Sequence, residues 1–173
     1  MKVLFLDIDG VLNAHEWDEE VLCGQIHCDK VDRLNRVLRA TGAKVVLSSA
    51  WRYILHRGEC NLIGLEWLFR SHGILAGRLV GVTRPDTMER PVYSGDPGTL
   101  PQVNERGHQI LEWIHLAPGM VGVPVKQYAV VDDLDLGITD ARHPCVITDG
   151  KTGLTDADAD RLIQLLNCES TEG

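Results

Sequence analysis

The chain has 173 residues, 44% of them apolar and 24% charged, with a net charge of −8. That is ordinary globular composition for one domain, and it excludes a disordered chain. The overall acidity speaks against indiscriminate nucleic-acid binding, although 12 of the 17 basic residues fall between Lys30 and Arg106, leaving a basic middle between acidic flanks.

Lys2 to Leu6 is a short apolar run of strand formers that stops at Asp7, Asp9 and Gly10. It reads as a central parallel strand covered on both faces. The same acidic pair breaks any resemblance to a secretory signal, and no apolar run is long enough to cross a bilayer, so a soluble, cytoplasmic protein is expected. Asn13 to Cys28 is polar and without period, and reads as a flap over 14–28 in which His15, Glu16 and Trp17 face a substrate or solvent. The five cysteines are odd in number and scattered; Cys23 and Cys28, beside His27, lack the second close pair that a zinc site needs.

Asp29 can cap a helix that runs to about Ala40, with Val31, Leu34, Val37 and Leu38 on one face and Gly42 as its stop. Lys44 to Leu47 is the second buried strand, and it ends in Ser48-Ser49-Ala50-Trp51-Arg52. Trp51 suits either stacking on a base or filling the core under that strand. Asn61 to Ser71 has helical spacing, and Trp67 and Trp113 are expected to pack in or near the core. Leu79 to Val82 is a further strand. Arg84 to Val103 holds four of the seven prolines and reads as a long irregular loop, within an insert over 53–103. A helix from about Asn104 to Leu116 follows, then a strand over Lys126 to Val131 ending in Asp132-Asp133, and another over Cys145 to Thr148. Thr155 caps the last helix, with Asp158 completing a capping box. The alternation predicts a single α/β domain over 1–173, with a mainly parallel sheet between helical layers.

Ligands of such sheets bind beyond the carboxyl ends of the strands. Asp7 and Asp9, Ser48 and Ser49, and Asp132 and Asp133 all stand at such ends. If the strands are neighbours, four carboxylates share a small volume and repel, and a divalent cation removes the conflict. Oxygen-only donors favour magnesium. The arrangement suits phosphoryl transfer, with Asp7 as nucleophile and Asp9 as acid and base. Ser48 binds a phosphoryl oxygen in this reading, and Arg106 offsets its charge, with Arg52 in reserve. Gly10 allows the turn, and Gly10, Ser49 and Arg52 are the candidates for holding the substrate.

Phe5-Leu6-Asp7-Ile8-Asp9-Gly10-Val11-Leu12-Asn13, Val46-Leu47-Ser48-Ser49, Arg106 and Val130-Val131-Asp132-Asp133 stand in an order that resembles the four motifs of the haloacid dehalogenase (HAD) phosphohydrolases. The pairing of D-G-V-L-N with S-S-A-W-R is similar to a subgroup associated with RNA-repair proteins. The resemblance implies a Rossmann-like three-layer sandwich. It also implies magnesium on Asp7, on the backbone carbonyl of Asp9 and on an acid of the fourth motif, Asp133 before Asp132. Arg106 departs from the lysine that many members carry. The short spacings imply a small or absent cap, and hence an open site for a phosphorylated small molecule or a nucleic-acid end. The alternatives are a non-catalytic module that binds phosphorylated ligands and a transferase that delivers the phosphoryl group to an acceptor other than water.

Overall fold

The computed structural model describes residues 1–13, 26–83 and 105–168. The flap with His15, Glu16, Trp17 and Cys23, and the loop over Arg84–Val103, lie outside these residues except at their edges.

Five strands form one sheet: β1 (Lys2–Leu6), β2 (Lys44–Leu47), β3 (Leu79–Val82), β4 (Gln127–Asp132) and β5 (Cys145–Ile147). Their order is β3-β2-β1-β4-β5, and every pairing is parallel. The helices are α1 (Cys28–Thr41), the single turn α2 (Tyr53–His56), α3 (Leu62–Ser71), α4 (Glu105–Val121) and α5 (Asp156–Asn167), with a short 3-10 turn at Ala50–Arg52.

Alternation along β1 divides the core. Leu4 and Leu6 point into a cluster with Val31, Leu34 and Leu38 of α1, Leu65 and Phe69 of α3, and Leu162 and Leu166 of α5. Val3 and Phe5 point the other way, onto Ile110, Trp113 and Ala117 of α4. The result is the expected three-layer, Rossmann-like sandwich. Phe5 meets the edges of Trp113 and Tyr128, with ring centroids 5.6 and 6.0 Å apart. Trp113 is the largest side chain that α4 packs against the sheet, so Trp113→Ala is expected to cost about 3–5 kcal/mol in urea unfolding. A loss below about 1 kcal/mol would mean that α4 is held by something else.

Three details differ from the sequence reading. Asp29 is inside the first turn of α1, because Lys30 and Val31 already donate to the His27 carbonyl; His27 takes the cap position without a side-chain bond. Asp29 instead pairs with Lys30 and Arg33. Helix α4 runs past Leu116 through Pro118 to Val121, because Ala117 and Val121 pack against the second core cluster and outweigh the missing proline N–H. Trp67 is 69% exposed rather than packed. The Thr155–Asp158 capping box of α5 is present as read.

Candidate active site

Strand β1 is the middle of the sheet, and the sequence order reverses beside it: β2 and β3 lie on one side, β4 and β5 on the other. At such a reversal the loops diverge and leave a crevice at the carboxyl ends. Asp7 opens that crevice. Its N–H is still in the ladder, donating to Val131 O at 3.0 Å, and its Oδ1 accepts from Ile8 N at 2.9 Å.

The chain then turns sharply. Leu12 N donates to Ile8 O, and Gly10 sits at φ 72°. A Cβ on Gly10 would run into the Asp133 carboxylate, so glycine is required both by the backbone angle and by the approach of β4's end. Gly10 N donates to Asn13 Oδ1 at 2.8 Å, and Thr148 Oγ1 donates to Gly10 O at 2.9 Å.

Asp7, Asp132 and Asp133 each offer one carboxylate oxygen, and these oxygens lie within 4.8 Å of one another. Residues about 125 positions apart along the chain therefore converge as the strand-end reading requires. Asp7 and Asp132 are buried, and Asp133 is partly open. Arg106 reaches across both buried acids: its Nη1 is 3.2 Å from Asp7 Oδ2 and also bonds Asp132 Oδ2. A cation in the first turn of a helix is unfavourable by itself; here two carboxylates from neighbouring strands hold it. Gly107 makes the approach possible, because any side chain there would strike the Gly137 carbonyl. His143, with Nε2 against Gly107 O at 2.8 Å and Nδ1 against Tyr128 OH at 2.9 Å, fastens the same turn.

One guanidinium does not neutralise two buried acids. Burial pushes the Asp7 carboxyl up against the opposing pull of Arg106, the Ser49 hydroxyl and the Ile8 N–H. Burial also pushes Asp132 up, to about 7, with Arg106 pulling down and Asp7 adding repulsion. Burial works against the charge on Arg106 as well, but Asp132 and Asp7 outweigh it and raise its affinity for the proton. A site so short of positive charge, and built only from carboxylate oxygens, fits a hard divalent cation such as magnesium.

A family model described as the HAD domain in Swiss Army Knife RNA repair proteins matches residues 3–159. The chain belongs to this HAD family. No curated protein and no solved structure matches it. HAD domains generally hydrolyse phosphate esters, so a phosphatase-type function and a phosphorylated substrate follow at the level of the family. Among the described residues of this HAD domain, no helix is long and apolar enough to cross a membrane.

The remaining residues singled out in the sequence are also located. Ser48 and Ser49 are both buried at the end of β2. Of the two hydroxyls, the one on Ser49 pulls the Asp7 carboxyl down. Ser48 continues the line of the strand toward β3, and its hydroxyl accepts from Thr83 Oγ1 at 3.4 Å. Arg52 is buried at the end of the 3-10 turn, with its N–H on Ser49 O. The Asp9 carboxylate is not one of the three clustered acids, and its Oδ1 accepts from Asn13 Nδ2 at 2.8 Å and from Trp51 Nε1 at 3.2 Å. Sequence reasoning gave Thr83, Thr148 and the Asn13 side chain no role, and it saw Trp51 only as a flat ring. Asn13 had a signal, an amide four residues after Asp9 in a tight turn. The others had none, because their partners come from distant strands.

Proposed function

We propose that this HAD domain is a magnesium-dependent phosphatase that hydrolyses a phosphomonoester through an aspartyl-phosphate on Asp7, at the end of a nucleotide or nucleic acid. The observation that carries this reading is the meeting of the Asp7, Asp132 and Asp133 oxygens within 4.8 Å at the strand reversal, bridged by Arg106. The RNA-repair proteins named in the family description support a nucleic-acid end as the substrate.

In this mechanism an Asp7 oxygen attacks phosphorus in line with the ester oxygen. The P–O bond to the ester breaks, and Asp9 protonates the departing oxygen. Asp9 then takes a proton from water as the water oxygen attacks phosphorus. Inorganic phosphate leaves and the Asp7 carboxylate is restored. Arg106 holds the attacking carboxylate in place, while Ser49, with Ser48 and Arg52, binds the phosphoryl oxygens and Gly10 keeps the turn clear for them. Asp7, the Asp9 carbonyl, Asp133 and Asp132 are the residues that would hold magnesium. When bound, the ion supplies the positive charge that the transferred group requires.

The test is phosphate release from an aryl phosphate, nucleoside monophosphates and oligonucleotides phosphorylated at either end, with magnesium and with a chelator. Release that depends on magnesium and is greatest on the oligonucleotides is expected. Binding of these compounds with no release under any condition would overturn the reading in favour of a non-catalytic module.

A further inference from the structure

Asp9 receives two N–H donors on a single oxygen. Asn13 Nδ2 lies 2.8 Å from Oδ1, and the Trp51 indole Nε1 lies 3.2 Å from the same atom. Neither donor is loose. Asn13 is buried and uses its own Oδ1 to accept from Gly10 N, which ties it to the turn. Trp51 is in the 3-10 turn after β2, packed against the core, and its backbone N–H donates to Ser49 Oγ at 3.3 Å. A line of hydrogen bonds thus runs Asn13–Asp9–Trp51–Ser49 and ties Asp9 to the end of β2. The Ser49 hydroxyl also pulls the Asp7 carboxyl down.

An indole N–H has no acceptor capacity and no second position. Aimed at one carboxylate oxygen, it fixes the rotation of the whole group. We propose that Trp51 is a positioning residue that, together with Asn13, clamps Asp9 by Oδ1 and leaves Oδ2 as the atom that gives and takes the proton. The inference rests on the phosphatase reading and adds a preference to it. As the P–O bond breaks, its electron pair goes to the ester oxygen, and the proton on Oδ2 goes with it. In the second step a water proton moves to Oδ2 while the water oxygen bonds to phosphorus. A group held in one orientation matters in proportion to how much the leaving oxygen needs that proton. A nitrophenolate departs without one. The alkoxide of a sugar hydroxyl does not. The clamp therefore suits phosphomonoesters of alkyl alcohols, the kind found at a ribose end.

Trp51→Phe keeps an aromatic ring against the core and removes the N–H donor. It is expected to lower kcat on an alkyl phosphate such as a nucleoside monophosphate by about tenfold or more, and on nitrophenyl phosphate by no more than about twofold, with KM little changed. Trp51→His, which brings back a ring N–H, is expected to recover part of the loss on the alkyl ester alone. A readout without turnover accompanies these. The indole proton resonance that disappears in Trp51→Phe should exchange faster with water in Asp9→Ala, because its acceptor is gone. Equal losses on both substrates, no loss on either, or an indole proton indifferent to Asp9→Ala would overturn the clamp and leave the phosphatase reading standing. A native protein that releases phosphate from neither ester with magnesium would overturn both.

Discussion

Asp7→Asn is expected to cut phosphate release by about a thousandfold or more while the protein stays folded. The amide has the size of the carboxylate but no nucleophilic oxygen, so the first chemical step loses its attacking group. Its oxygen can still accept the Ile8 N–H, so the turn after β1 survives. Stability should not fall in metal-free buffer. Asp7 is buried beside Asp132, and burial raises both carboxyls; removing one charge relieves their repulsion and leaves Arg106 to Asp132. Such a trade, activity lost and stability kept or gained, marks a charge kept for chemistry. The check is phosphate release at saturating substrate together with a urea melt in chelator. Full activity in Asp7→Asn would end the aspartyl-phosphate mechanism, and a collapse of the fold would show that the carboxylate is structural.

Arg106→Met is expected to destabilise the metal-free protein by about 3 kcal/mol at pH 8, because it removes the partner of two buried carboxylates while keeping the bulk of the side chain. The pH dependence has a definite sign. A buried carboxyl whose folded value is raised binds more protons folded than unfolded between its ordinary 3.8 and its folded value of about 7 for Asp132. The native protein therefore loses stability as pH rises through that window. Without Arg106 the lowering pull on both acids is gone, and both carboxyls rise further. The gap between native and variant is then widest above pH 7 and closes as pH falls and the acids take up protons in both proteins. Magnesium should narrow the gap at pH 8 by supplying the missing charge. Urea melts at pH 8 and pH 5, with and without magnesium, measure all of this. A destabilisation that is the same at both pH values would mean that Arg106 acts by packing alone.

The sheet was legible because its strands are buried on both faces and so read as unbroken apolar runs. Lys44–Leu47 and Leu79–Val82 match residue for residue, and β4 is displaced by a single position. The acids that meet at the crevice were legible for a related reason: Asp7 and the Asp132-Asp133 pair follow directly on such runs. Helix boundaries were less so. Asp29 looks like a cap in sequence, but the helix begins where His27 O is reached by Lys30 and Val31, and His27 is itself held by its N–H on Leu12 O. Pro118 looks like a stop until Val121 is seen to pack beneath the sheet. In the site, Ser48 and Ser49 are indistinguishable by type. The Ser48 hydroxyl meets Thr83, just past β3, while the Ser49 hydroxyl pulls on Asp7, and no local pattern encodes either. The indole of Trp51 reaches Asp9 only because a 3-10 turn folds it back over the end of β1.

The central position of β1 has a consequence for how the protein is made. During synthesis β1 emerges first of the five, finds β2 after about forty residues, and meets β4 only after well over a hundred. Until then one edge of the most apolar strand has no neighbour, and Asp7 stands without the acids that join it in the folded protein. A nascent chain stalled before Gln127 carries Asp7 but neither Asp132 nor Asp133, and so lacks two of the three clustered carboxylates. The acidic group comes together only when the most distant pairing in the sheet closes, so the proposed phosphate chemistry is deferred until the chain has left the ribosome's tunnel far enough to fold.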